Sequence, residues 1–381
     1  MKLTIYMDYH ATTPVDPRVL EAMLPYFKEK FGNAASTHGY GNDARAAVEK
    51  ARAQVAALLN ASTDEIAFTS GGTEGDNLAI KGAAAERRER GDHIISCVTG
   101  HKAVLDSYRS LEGAGYRITY LPVDQHGRLR PEDVKAAIEP KTILVSLMAA
   151  NNEIGTIHPV AEIGRICRER DILFHSDATQ AIARIPFDVR AMQVDLAAFT
   201  AHKFYGPKGA GALYVRRGVK IRSEMDGGGH EGGLRSGTLN VPGIVGLGLA
   251  CELARLELQE EAQRIGALRD RLQQAVVSKL DNVTVNGDPD ARLPGNLNLS
   301  FKGLPGGTLA LALDDIACSA GSACNSQARS FSHVLKALGL DEDRAESTVR
   351  FGLGRFTTEV EVDHVAARVV EAVTQLRALT V

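Results

Sequence analysis

The chain has 381 residues, 44% of them apolar, and a formal net charge of -3. That length exceeds one ordinary core and points to two or three structural units, and the near-balanced charge gives no basic field to recruit nucleic acid or anionic lipid. The opening MKLTIYMDYH lacks a signal peptide's apolar core and cleavage pattern, and no apolar run reaches the about 18–20 residues that span a bilayer, so a cytoplasmic protein without membrane or direct nucleic-acid contacts is expected.

From about residue 44 the chain alternates. The helical ARAAVEKARAQVAALL is followed by the strand-like EIAFTS, a helix from about Glu74 to Arg90, the strand HIISCV and a helix from Val104 to Glu112. ITYLPV, a helix from Pro131, TILVSLMA, the helical AEIGRICRER, ILFHSD, LAAFTA and GALYV continue the rhythm. Such repetition predicts an α/β fold with a mostly parallel sheet covered on both faces, whose ligands bind beyond the carboxyl ends of the strands. Near Pro242 a helical pattern of almost 40 residues begins, long enough to bridge two domains. NVTVNG, GNLNLSF, the helical SHVLKALGL, the strand STVRFGL and a final helix from Glu359 then form a smaller α+β unit.

Five cysteines are scattered along the chain, an odd number in a reducing compartment, which argues against a disulfide framework. Cys97, Cys167 and Cys251 fall in apolar strand or helix patterns and read as packing residues. Cys318 and Cys324 share the small-residue stretch CSAGSACN, which by itself could be a metal clip, a disulfide, a reactive nucleophile or a plain turn. A zinc clip would need closely paired cysteines and further ligands, which the stretch lacks.

Three strand ends carry chemistry. After IAFTS, Gly71-Gly72-Thr73-Glu74 opens a helix, either as a phosphate cradle or as a glycine turn with Thr73 as an N-cap. After ILF, Asp177 places a carboxylate at the mouth of a buried strand, where it serves a ligand or is satisfied by a neighbouring helix end. After LAAFT, Lys203 is either a Schiff-base amine in a desolvated cleft or a solvated charge. Together the three supply what pyridoxal 5'-phosphate requires: a phosphate site, a partner for the pyridine nitrogen and an amine for the aldehyde.

The segments TSGGTEGDN, TGHKAVLD, NNEIGTIHPV, HSDATQA, AHKFYGPKGAGALYV, RSGTLNVPGIVG, CSAGSACN and VRFGLGRFTT resemble, in order, the signature segments of cysteine desulfurases. These sulfurtransferases belong to the class V aminotransferase group of fold-type I pyridoxal phosphate enzymes, and this form is linked to iron-sulfur cluster assembly. The resemblance implies a large cofactor-binding domain over residues 13–258, with a mostly parallel seven-stranded sheet. Residues 1–12 and 259–381 would form the small α+β domain, carrying a mobile nucleophile loop at about 318–332.

By the same resemblance Lys203 is the Schiff-base lysine, Asp177 the partner of the pyridinium nitrogen, Gln180 a donor to the phenolic oxygen, and His101 a ring-stacking group that moves protons. Gly72, Thr73, Thr200 and His202 match cofactor contacts, and Thr238 matches a phosphate contact made from the neighbouring subunit of a homodimer. Asn33, Asn152 and Arg350 match groups that hold the L-cysteine substrate, and Cys324 matches the nucleophile that takes its sulfur as a persulfide. An iron-sulfur scaffold or another acceptor protein would then receive it. Arg350 makes independent sense, because a guanidinium grips a carboxylate through two parallel bonds, although a strand arginine can equally sit in a surface ion pair. His101 can equally cap its own helix, and Cys318 would pack near LALDDIA.

The chain departs from the family pattern at Ala34-Ala35, where proline and serine are usual, at Gly232-Gly233, where a basic side chain is common, and at Gly100, where an acidic residue often stands. Selenocysteine lyases and small amino-acid aminotransferases share the architecture, but an aminotransferase has no use for Cys324. A non-catalytic scaffold has no use for Lys203, Asp177 and Cys324 together.

Overall fold

The computed structural model describes residues 4–304, 307–320 and 332–379. Strand β1 (Ile5–Tyr6) precedes helices α1 (Pro17–Met23), α2 (Pro25–Lys28) and α3 (Gly39–Leu59). The alternation then runs β2 (Ile66–Thr69), α4 (Gly72–Glu86), β3 (His93–Cys97), α5 (Lys102–Gly113), β4 (Arg117–Leu121), α6 (Pro131–Ala137), β5 (Thr142–Met148), α7 (Val160–Arg168), β6 (Leu173–Asp177), β7 (Leu196–Thr200) and β8 (Gly211–Val215). These strands form one seven-stranded sheet in the order β2-β8-β7-β6-β5-β3-β4. All are parallel except β8, which runs antiparallel between β2 and β7.

Every residue of β5 is buried, as expected of a strand covered on both faces. Neighbouring residues point to opposite layers: Ile95 and Val145 pack with α3 and the first part of a long helix, whereas Ile94 and Leu144 pack with α4 and α5. This is the doubly covered sheet that the alternation predicts.

The long helix is α8 (Val241–Val277), 37 residues, started by Pro242 in its first turn and by the Asn240 side chain, which accepts from the Gly243 N–H. Its N-terminal half packs closely on α3. A methyl at Gly248 would sit 2.6 Å from Ala51, so the two helices meet only because both residues are small. Further along, Leu268, Leu272 and Val276 of the same helix enter a separate core.

That second core holds β9 (Val283–Asn286), β10 (Asn296–Phe301), α9 (Thr308–Ala312), β11 (Ile316–Ala317), β12 (Ser319–Ala320), α10 (His333–Ala337), α11 (Glu342–Glu346), β13 (Thr348–Gly352) and α12 (Glu359–Ala378) around it. Strands β12-β13-β10-β9 form an antiparallel sheet, and β1 pairs in parallel with β11. The N-terminal segment thus crosses to the C-terminal unit and runs beside it, with Asp8 bridging Gly352.

The elements before residue 44 are not predicted from sequence, because their apolar periods are short. In the structure the Asp16 side chain caps α1 by accepting from the Arg18 N–H, and Pro17 begins it. Among the described residues no helix is long and apolar enough to cross a membrane.

Candidate active site

The carboxyl ends of β2, β3, β5, β6 and β7 lie along one edge of the large sheet, and the residues singled out from sequence follow them. Lys203 ends a 3-10 turn, Ala201–Lys203, that continues directly from β7. Its Nζ donates to the carbonyls of His10 at 2.9 Å and Ala11 at 2.5 Å. Burial, followed by the charges of Arg184 and Arg350, pushes its pKa down to about 8.

Asp177 closes β6 and is buried. One carboxylate oxygen accepts from the Thr179 N–H at 3.0 Å. Behind it stands a fully buried pair, Asp76 of α4 and His175 of β6, with Oδ1 and Nε2 3.4 Å apart. Burial and then Asp177 raise the Asp76 carboxyl well above its usual range, while burial pushes His175 down to about 3. Burial thus disfavours charge on both members of the pair. His175 Nδ1 is fixed by Ser146 Oγ at 2.7 Å.

At the start of α4 the first helical bond runs from the Gly75 N–H to the Gly71 carbonyl, leaving the N–H groups of Gly72, Thr73 and Glu74 free of helical partners. The two glycines keep this end open. A methyl on Gly72 would meet Thr179 Oγ1 at 2.8 Å, and one on Gly71 would reach Thr200 Oγ1 at 3.5 Å. Thr73 is exposed, whereas the Thr200 hydroxyl is buried and donates to the Ala210 carbonyl. His202 Nδ1 lies 3.1 Å from Thr12 Oγ1, and burial lowers that ring to about 4, so it is neutral near pH 7.

The Gln180 amide is tied to His10: Nε2 donates to the His10 carbonyl at 3.0 Å and Oε1 lies 3.1 Å from Nδ1. One Nε2 hydrogen remains available for a ligand. His101 is the N-cap of α5, its Nδ1 accepting from the Ala103 N–H at 3.1 Å. The capping alternative is thus realised, and it leaves the exposed ring with Nε2 outward from that bond.

The facing wall comes from the C-terminal unit. Arg350 projects from β13, nearly buried, and donates through Nη1 to the Asn152 carbonyl at 2.9 Å. Through Nη2 it donates to Asp8 Oδ1 at 2.7 Å and to Ser319 Oγ at 2.9 Å. The Asn152 contact is thus made by the backbone, while neighbouring Asn151 is the buried amide that holds this loop, accepting from the Glu153 and Ile154 N–H groups.

Two further sequence candidates lie on exposed segments. Asn33 is exposed and its Oδ1 accepts from the Ala35 N–H, and Thr238 is exposed shortly before α8. Cys324 lies outside the described residues, as do residues 321–331 around it. The flanks of that stretch are anchored: Ser319 pairs with Arg350 across β12 and β13, and Ser332 donates to Glu153 at 2.5 Å. Cys97, Cys167 and Cys251 are buried free thiols. Cys318 packs against the second core, and burial pushes its thiol up to about 12, which leaves it protonated near pH 7.

Asp8, His10 and Arg184 were not singled out from sequence. Arg184 donates to the Tyr9 and Lys203 carbonyls at 2.7 and 2.9 Å and so supports the lysine turn from beneath. The signal for Asp8 and His10 was their place in the MDYHATTPV segment.

Comparison with known proteins agrees with this architecture. The class-V aminotransferase family description matches residues 5–365. "Cysteine desulfurase IscS" of Anaeromyxobacter dehalogenans is 58% identical over 383 residues, covering 100% of this chain and 95% of that protein. Among solved structures, a "NifS-like protein" superposes with a TM-score of 0.92 at 41% identity, covering 98% of this chain and 100% of that one. Another, titled "SspA in complex with cysteine", gives 0.85 at 36% identity over 93% and 100%. The chain belongs to the class-V aminotransferase family and, within it, to the cysteine desulfurases.

Proposed function

We propose that the protein converts L-cysteine to L-alanine and places the substrate's sulfur on Cys324 as a persulfide. The observation that carries this reading is a half-buried lysine with a lowered pKa beside a strand-end carboxylate, faced across the cleft by a nearly buried arginine.

The donor set fits pyridoxal 5'-phosphate. Lys203 would be its attachment point, Asp177 would hold its pyridine nitrogen in the protonated form, and the open α4 terminus with Gly72, Thr73, Thr200 and His202 would take its phosphate. Gln180 would use its remaining hydrogen on the phenolic oxygen, and His101 would cover the ring. When bound, the cofactor supplies the electron sink for bonds at the substrate's alpha carbon.

The chain's own residues do the rest. Arg350 fixes the substrate carboxylate, with Asn152 and Asn33 at the substrate side. Uncharged Lys203 is a competent base for the alpha proton because its pKa lies near 8 rather than at 10.5. His101 Nε2 donates to or accepts from the thiols. The Cys324 thiolate attacks the substrate sulfur, so that an S–S bond forms as the C–S bond breaks and a proton returns to carbon. Cys324 sits between flanks that are themselves anchored on the two walls.

A homodimer is part of the reading, with Thr238 serving the partner's phosphate. The exposed Leu20, Leu24, Phe27, Phe31 and Tyr40 of the N-terminal segment give apolar area for such contacts. The residue ranges 13–258 and 259–381 with 1–12 are proposed as the two domains, supported by the change of core along α8 between Leu253 and Ile265. The resemblance further suggests an iron-sulfur scaffold or another acceptor protein as recipient, and a cytoplasmic setting.

The test is incubation of the holoenzyme with L-cysteine and a reductant, measuring alanine and sulfide. Equal amounts from the wild type and a loss of about a thousandfold or more in Cys324→Ser are expected. Undiminished sulfide from the variant would sink the proposal, as would pyruvate in place of alanine.

A further inference from the structure

Arg350 is already occupied by a carboxylate from its own chain. A guanidinium presents two bidentate faces, one made by Nε with Nη2 and the other by Nη1 with Nη2. Both faces use Nη2. In this structure Nη2 donates to Asp8 Oδ1 at 2.7 Å and to Ser319 Oγ at 2.9 Å. Nη1 gives one hydrogen to the Asn152 carbonyl, and Nε is buried without a partner among the described residues. An incoming carboxylate therefore meets Asp8 at the nitrogen that both faces share.

Backbone pairing brings the three residues near one another, and side-chain hydrogen bonds link them. Ser319 stands opposite Arg350 in the β12–β13 ladder, and Asp8 bridges Gly352 two residues further along β13. Ser319 Oγ also donates to Asp8 Oδ1 at 2.9 Å, closing a triangle around Nη2. The Asp8 side chain is 20% exposed and Arg350 is 9% exposed, so the aspartate is the more accessible of the two. Leaving that arginine unpaired would bury an uncompensated charge, so the empty site needs an anion there.

We propose that Asp8 is a resident carboxylate that occupies Arg350 until the substrate's carboxylate exchanges for it. The inference rests on the reading of Arg350 as the substrate-carboxylate group. The exchange is charge-neutral at the arginine: one carboxylate leaves Nη2 and another takes it, so no unpaired charge is buried at any stage. Asp8 acts through Arg350 and is a positioning residue. It lowers the affinity for every amino acid that enters, and it makes entry depend on a carboxylate able to compete. Ligands lacking that group leave Asp8 in place.

The test uses the holoenzyme and L-alanine, which carries the carboxylate but no sulfur, with L-alaninamide as the uncharged control. Binding is measured by calorimetry, and KM and kcat for L-cysteine are measured alongside. Asp8→Asn keeps the shape but removes the charge, and is expected to bind L-alanine about tenfold more tightly, since a neutral acceptor holds Nη2 more weakly than an ionised one. KM falls in proportion, kcat does not rise, and L-alaninamide binding is unchanged. Ser319→Ala, which removes one hydrogen bond from Asp8 and frees one Nη2 hydrogen, tightens L-alanine in the same direction by about threefold. Structural damage at either position would weaken binding, the opposite sign.

Weaker or unchanged L-alanine binding in both variants overturns the exchange, provided Arg350→Ala loses L-alanine. If Arg350→Ala binds L-alanine like the wild type, the reading of Arg350 itself fails instead.

Discussion

The two walls of the cleft are built on different principles. On the sheet side, Asp177 is the last residue of β6, and Lys203 and the α4 terminus each follow a parallel strand by three residues, so the backbone of the fold places them. On the opposite side, Arg350, Asp8 and Ser319 come from three separate strands or bridges, Asp8 being 342 positions from Arg350, and side-chain hydrogen bonds hold them together. The first wall is preset to receive a rigid ligand. The second satisfies itself when empty and must be rearranged to receive one.

That contrast can be broken most severely on the sheet side. Lys203→Ala removes both the attachment point and the base, and a fall in kcat of about a thousandfold or more is expected, with the melting temperature little changed or raised because a desolvated cation is gone. Turnover within tenfold of the wild type would separate the lysine from the chemistry. The Asp8 and Arg350 variants, by contrast, act on binding, and their signature is a KM that moves in opposite directions for the two residues.

A smaller effect sharpens the electrostatics. Lys203 has a folded pKa of about 8 against an ordinary value of 10.5. Between those values the unfolded chain binds more protons than the folded one, so stability rises with pH across this window and the penalty for burying the charge is fully present below it. In cofactor-free protein, labelling of Nζ by a small aldehyde with reductive trapping should climb with pH to a midpoint near 8. A midpoint above 10 would show a solvated lysine and remove the contrast between the walls.

How much of this was legible beforehand follows from the same difference. The sheet wall is written in short contiguous segments, TSGGTE, HSDATQ and AHKFYG, each at the end of an apolar run, so strand order was not needed to see that they converge. Helix boundaries were less clear. The helix expected from Glu74 begins at Gly72, because the cradle glycines belong to its first turn. The helix expected from residue 44 begins at Gly39, behind the His38 cap. The second wall was only half legible. Arg350 could be picked out within VRFGLGRF, but its resident partner Asp8 lies at the far end of the chain, and nothing in either segment announces that the N-terminal strand crosses over to meet it. His101 offered two roles from sequence, cap and ring cover, and the cap leaves Nε2 uncommitted, so the two are compatible.

The measurement closest to the centre of this account is the site of sulfur transfer. The holoenzyme is mixed with one equivalent of L-cysteine, quenched with a thiol-blocking reagent and digested, and each cysteine peptide is weighed. With the added mass assigned to a residue by fragmentation, the account predicts one added sulfur atom on Cys324 and none on Cys97, Cys167, Cys251 and Cys318, whose thiols are buried or held protonated. Added sulfur on any of those four, with Cys324 unmodified while alanine accumulates, would contradict it.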